Sequence, residues 1–136
     1  MPKARKIAFV IGSILLAAAL VLGGQVLIRE RSKKQVSVIV PELSAEAKNG
    51  KIAFEAHCVH CHGVNASGAD RGPSLIDRIY QPAHHGDFSF VRAVTLGVPQ
   101  HHWLFGSMPA QPQVSRQEID RTIVYLRELQ KANGIQ

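Results

Sequence analysis

At 136 residues the chain has room for one modest domain and one appendage. Its formal charge of +6 invites a nucleic-acid partner, but the excess is local: seven Lys and Arg face only Glu30 up to Pro41, and from Glu42 onward nine Lys and Arg face nine Asp and Glu. The domain is neutral, so charge makes no case for binding nucleic acid, and the basic character belongs to the N-terminal segment.

Ile7 to Ile28 is an apolar run whose polar members are Ser13 and Gln25. A helix of that length reaches ~33 Å, enough to cross a hydrocarbon core of ~30 Å. Residues 1–29 therefore predict a short basic tip and a transmembrane anchor. A cleaved secretory signal fits less well, because its apolar core is only ~7–15 residues long and ends in a small-x-small site. The best cut here, after Gly23, has bulky Val21 two residues before it. Orientation is close to a tie on charge, with Lys3, Arg5 and Lys6 before the span and Arg29, Arg31, Lys33 and Lys34 after it. Residues 30–41 read as an extended linker ending at Pro41, and 42–136 as the folded domain.

The domain opens with a helix from Ser44 to about Cys58, with Ser44 as N-cap and Glu46 in the first turn, where the macrodipole favours an acid. Leu43, Ala47, Gly50 and Phe54 share one stripe. Gly50 in mid-helix costs about 1 kcal/mol relative to Ala, so a close helix approach is expected there.

Cys58-Val59-His60-Cys61-His62 follows. Two cysteines three apart, with histidine directly after, read as a c-type haem attachment site. On one helical turn, thiols at i and i+3 share a face and can add across two vinyl groups of one porphyrin while the next residue projects towards the iron. A redox dithiol would want a βαβ context, and a four-ligand zinc site usually a second cysteine pair, although the histidines of this chain could complete a zinc shell.

Gly63 to Gly72 reads as loop, and Gly72-Pro73-Ser74-Leu75 as the start of a short helical stretch through about Tyr80. Asp87 reads as N-cap of a helix FSFVRAVTL that Gly97 stops, with Pro99 as a second stop. A long loop from Val98 to Pro112 carries His101, His102, Trp103, Phe105 and Met108. Ser115-Arg116-Gln117-Glu118 is a capping box opening a final helix whose inner face is Ile119, Ile123, Leu126 and Leu129, with Tyr125 alongside.

From Ser44 to about Lys131 the chain resembles the small monohaem class I cytochromes c. Four features carry the resemblance together: Gly50-x-x-x-Phe54-x-x-x-Cys58 before CVHCH; Gly72-Pro73-Ser74-Leu75; Gly106-Ser107-Met108-Pro109-Ala110; and Ile123-Val124-Tyr125-Leu126-Arg127. The resemblance implies an all-α bundle around one covalently bound haem c, its first and last helices crossing with Phe54 and Tyr125 packed at the crossing. It implies thioether attachment at Cys58 and Cys61, His62 as proximal iron ligand, and the Pro73 carbonyl accepting from the imidazole N–H. It also implies haem attachment outside the cytoplasm, hence a bacterial inner-membrane protein with its domain in the periplasm.

Past the initiator, Met108 is the one methionine of the chain, and it is the expected sixth ligand. A thioether paired with an imidazole raises the potential and fills the coordination sphere. His84, His85, His101 and His102 are the competitors, and Arg71, Arg78, Tyr80 and Trp103 the suitable propionate donors. The expected function is a membrane-tethered carrier of single electrons between redox protein partners and not an enzyme. A fixed haem subunit of a larger oxidoreductase complex is the first alternative, and a haem enzyme or gas sensor with a labile distal ligand the second.

Overall fold

The structure, a computed structural model, describes residues 11–25 and 35–136. The chain divides into two compact units, Met1–Arg31 and Ser32–Gln136. The described part of the first is a helix, α1, over 11–25, whose apolar side chains Ile14, Leu15, Leu16, Leu20 and Leu22 are exposed. No helix among the described residues is long and apolar enough to cross a membrane. The expected span, Ile7 to Ile28, runs beyond the described residues at both ends.

The second unit is helical: α2 (Ala45–His57), α3 (Val59–His62), α4 (Asp87–Leu96) and α5 (Arg116–Ala132), with 3-10 turns at Val64–Ala66 and Arg78–Tyr80. Among the described residues β-type pairing is confined to two isolated bridges, Ala69 with Gly72 and Val98 with Met108. The all-α expectation holds.

α2 starts where Ser44 accepts from the Ala47 amide, and it buries Ala47, Gly50, Ala53 and Phe54. α5 starts at a complete Ser115/Glu118 capping box and buries Ile119, Ile123, Tyr125, Leu126 and Leu129. The two faces meet at Gly50, where an added Cβ would overlap the Arg121 carbonyl oxygen and lie 3.0 Å from Tyr125 Cβ. The glycine thus lets the backbones touch, as its position in mid-helix demanded. One turn on, Phe54 and Tyr125 pack with ring centroids 5.7 Å apart, a favourable tilted arrangement. Burial, reinforced by Glu55, pushes the Tyr125 phenol up to about 12, so it remains a donor, and its O–H donates a hydrogen bond to Asn65 Oδ1 at 3.2 Å.

Three local expectations need correction. The stretch after Pro73 is helical only over Arg78–Tyr80, because Ser74 Oγ accepts from the Ile76 amide and Asp77 caps Ile79, turning the backbone before a helix can start. α4 has Gly86, not Asp87, as N-cap; Asp87 lies in the first turn and accepts from Arg127 Nε at 2.8 Å. The end of the linker is extended but not free. Val36 donates to the Ser67 carbonyl, Ile39 exchanges two bonds with the Asn133 side chain, and Val36 and Val38 pack on the core.

Arg127 ties the remaining elements together. Its guanidinium donates to the carbonyls of Tyr80 and His85 at 2.8 and 2.6 Å and to Gln130 Oε1, and it lies 5.0 Å over the Phe90 ring. Buried Gln130 passes the link on by donating to the Leu75 carbonyl at 3.0 Å. The loop from Gln81 to Gly86 and the start of α4 are thereby fixed to α5.

Replacing an exposed mid-helix glycine by alanine gains about 1 kcal/mol. Gly50→Ala is expected to reverse that sign and lower the unfolding free energy of the haem-loaded protein by about 2 kcal/mol or more, since the methyl meets backbone rather than a movable side chain. Denaturant unfolding measures it, and a stabilised variant would show that the helices do not cross here.

Candidate functional site

The short helix α3 follows α2 after a break at Cys58, whose φ of −117° bends the chain without unwinding it. The amides of Cys61 and His62 both donate to the Cys58 carbonyl, so one helical turn separates the two sulfurs. Burial, with Cys61 adding, pushes the Cys58 thiol up to about 11. It is a protonated thiol at neutral pH, not the low-pKa thiolate of a redox dithiol.

Past His62 the backbone turns sharply. Asn65 and Ala66 both take left-handed conformations, at φ 52° and 60°. Asparagine tolerates this, whereas for alanine it costs about 1–2 kcal/mol. The Ala66 carbonyl offsets that cost by accepting from Leu75 N and Ser74 Oγ, which lays the Gly72–Leu75 segment beside α3. Gly72 is required there, since a Cβ would sit 2.7 Å from the Cys61 carbonyl oxygen. The consequence is that His62 Nδ1–H donates to the Pro73 carbonyl at 2.9 Å. That bond fixes tautomer and ring orientation and leaves Nε2 with a free lone pair. Desolvation holds the imidazole below its ordinary value despite the pull of the Pro73 carbonyl, so it is neutral and fit to ligate.

His62 and Pro73 line a cavity of about 310 Å³ whose wall is completed by Leu75, Tyr80, α4 residues such as Phe90 and Arg92, and the loop from Val98 to Met108. Met108 is held by a two-bond bridge with Val98, both N···O distances being 2.9 Å. Gly97, at φ 75°, packs so tightly under this bridge that a Cβ would lie 2.6 Å from the Met108 carbonyl oxygen. The methionine therefore sits on a braced strand-like segment and not on a slack loop. Cys58 and Cys61 are not part of the cavity lining.

His101, His102, Trp103 and Phe105 also line the cavity, and Trp103 Nε1–H donates to Tyr80 Oη at 3.1 Å. Burial outweighs this bond and, with Asp77, takes the Tyr80 phenol up to about 12. Of the anticipated propionate donors, Tyr80 and Trp103 face the cavity and Arg71 and Arg78 do not, while Arg92 does. Sequence reasoning passed Arg92 over; its one signal was its place on the helix between the two stops. His57 instead pairs with Glu118 at 3.3 Å and His60 is exposed. The four competing histidines converge on one another: ring centroids are 4.7 Å apart for His84 and His85, 5.4 Å for His85 and His102, and 4.2 Å for His101 and His102. Partial desolvation and the neighbouring imidazoles of His101, His85 and His84 lower the His102 pKa.

This donor set suits a c-type haem. It offers two thiols one turn apart, a neutral imidazole with its outer nitrogen already engaged, and a thioether bordering the same largely apolar cavity.

Comparison with known proteins agrees. The family model for cytochrome c matches residues 47–130. The cytochrome bc1 complex cytochrome c subunits of Mycobacterium tuberculosis (strain ATCC 25618 / H37Rv) and Mycobacterium bovis are each 41% identical to the chain over 66 residues, and that of Mycobacterium leprae is 42% identical. The match covers 48% of this chain but only 24% of the first two relatives and 22% of the third, so the chain spans about a quarter of their length. No solved structure matches it significantly. With a turn that presents two thiols and a clamped imidazole, and a family match over most of the folded domain, the chain belongs to the cytochrome c family, as a monohaem class I electron-transfer protein with one covalently bound haem c.

Proposed function

We propose that this cytochrome carries single electrons between redox proteins while tethered to the periplasmic face of a bacterial inner membrane. The observation that carries the reading is the shared cavity: His62, with Nε2 free, and Met108, on its braced bridge, border the same space. In this reading Cys58 and Cys61 would hold the haem covalently, and His62 and Met108 would ligate its iron. The bound haem supplies reversible one-electron exchange at iron. The chain supplies rigidity: the Pro73 carbonyl keeps the imidazole aimed, and the Val98 bridge holds the main chain that carries the thioether. Two protein ligands leave no position for oxygen or peroxide, which separates a carrier from a haem enzyme or gas sensor.

The reduced full-length protein is expected to remain low-spin and to bind carbon monoxide negligibly over minutes. It should also titrate as a single one-electron couple. Rapid carbon monoxide binding would instead assign a labile distal site and the enzyme or sensor reading.

Support for the tether comes from the almost uninterrupted apolar run Ile7 to Ile28 and from the exposed leucines of α1. The division into anchor 1–29, linker 30–41 and domain 42–136 follows. Val36 and Ile39 dock on the domain, so this part of the expected linker adds nothing to the reach of a tether. That docking, together with the bc1-complex subunits among the relatives, favours as second reading a haem domain fixed within a larger respiratory complex. Stoichiometric co-purification of other subunits in mild detergent supports that reading, and isolation as a single polypeptide supports the free carrier.

The full chain is expected to stay with the membrane fraction through high-salt and alkaline washes, and deletion of residues 7–28 to release a soluble haem protein. Recovery of a soluble native protein whose N-terminus lies after Gly23 would contradict the anchor.

A further inference from the structure

We propose that His84, His85 and His102 form a binding site for one divalent transition-metal ion, separate from the haem iron but beside the haem cavity, whose wall includes His85 and His102 and not His84. One ring nitrogen from each lies within 4.8 Å of the other two. Two imidazole nitrogens on one tetrahedral zinc, at about 2.0–2.1 Å each, are roughly 3.3 Å apart. Exposed His84 and His102 can close that difference by side-chain rotation alone.

The inner ligand is already set. His85 Nδ1–H donates to the Ile79 carbonyl at 2.6 Å, which fixes the tautomer and leaves the Nε2 lone pair free to ligate. Backbone carbonyls commonly do this for ligating histidines. Its loop is braced by the His84 and His85 amides, which both donate to Gln81, and by Arg127 on the His85 carbonyl. His102 comes from the other side, on a loop framed by Gln100 N to Ser107 Oγ, Gly106 N to Gln100 Oε1 and the Val98–Met108 bridge.

Two loops far apart in sequence and held by separate hydrogen bonds thus bring three imidazoles together. Neutral imidazole donors suit zinc, copper(II) and nickel rather than calcium or magnesium. Three protein ligands leave the fourth position to water or to His101, whose ring lies tilted against that of His102 with centroids 4.2 Å apart. A bound ion would join the loop from Gln81 to Gly86 to the loop that carries Met108.

The test uses haem-loaded full-length protein in detergent, free of any polyhistidine tag, titrated with zinc chloride in a calorimeter while the haem spectrum is followed. The expected result is saturation at one zinc per chain, a thermal midpoint that rises with zinc, and an unchanged haem spectrum. His84→Ala and His102→Ala are each expected to weaken binding at least about 10-fold, the cost already typical of losing an outer-shell partner. Both positions are exposed, so the variants retain the fold, which circular dichroism checks; His84 does not line the haem cavity, so His84→Ala is also expected to leave the haem spectrum unaltered. The absence of saturable one-to-one binding, or equal affinity in the double variant, would overturn the proposal. So would a haem spectrum altered by His84→Ala, which would make that imidazole an iron ligand instead.

Discussion

Helices α2 and α5 touch backbone to backbone at Gly50, and the attachment turn and the Tyr80–His85 wall of the haem site descend from that contact. α2 ends one residue before Cys58, so the crossing decides where the attachment turn begins. α5 presents Tyr125 to Asn65 and Arg127 to the Tyr80 and His85 carbonyls, so the same crossing places the loops that wall the cavity. A small domain with few buried side chains relies on such closeness. Ala47, Phe54, Tyr125, Leu126 and Leu129 are almost wholly buried and form one continuous cluster with Leu75 and Ile76.

The site itself depends on preorganisation more than on chemistry. A ligand whose orientation is fixed before and after electron transfer has little to rearrange, and both expected ligands are fixed by backbone. His62 is held by the Pro73 carbonyl and Met108 by paired amide and carbonyl groups of Val98. The strained left-handed Ala66 belongs to the same construction, because its carbonyl is what draws Ser74 and Leu75 alongside the attachment turn.

Much of this was legible in the residues. Ser44 and the Ser115/Glu118 pair announce helix starts through side-chain oxygens that satisfy exposed amides, and Gly97 announces a stop through its positive φ. A mid-helix glycine implied a neighbour's backbone, and the neighbour is Arg121. What escaped was carried by backbone groups or by partners distant in sequence. The Val98–Met108 bridge joins main-chain atoms and leaves no side-chain pattern. Arg127 recognises carbonyls 42 and 47 positions away, and nothing local to it says so. Asp87 looked like a cap because acids favour that position, but an arginine from α5 claims its carboxylate and Gly86 takes the cap. The linker read as an extended tether, whereas its valines pack on the domain and its backbone bonds to Ser67 and Asn133.

The account rests on iron gripped between His62 and Met108, and the oxidised protein's optical spectrum addresses this most directly. A weak long-wavelength charge-transfer band from iron–thioether ligation is predicted in the wild type and should vanish in Met108→Ala, with the attached haem retained. If the wild type lacks the band, or the band survives the substitution, Met108 is not the ligand and the closed, carrier-type haem site described above is wrong.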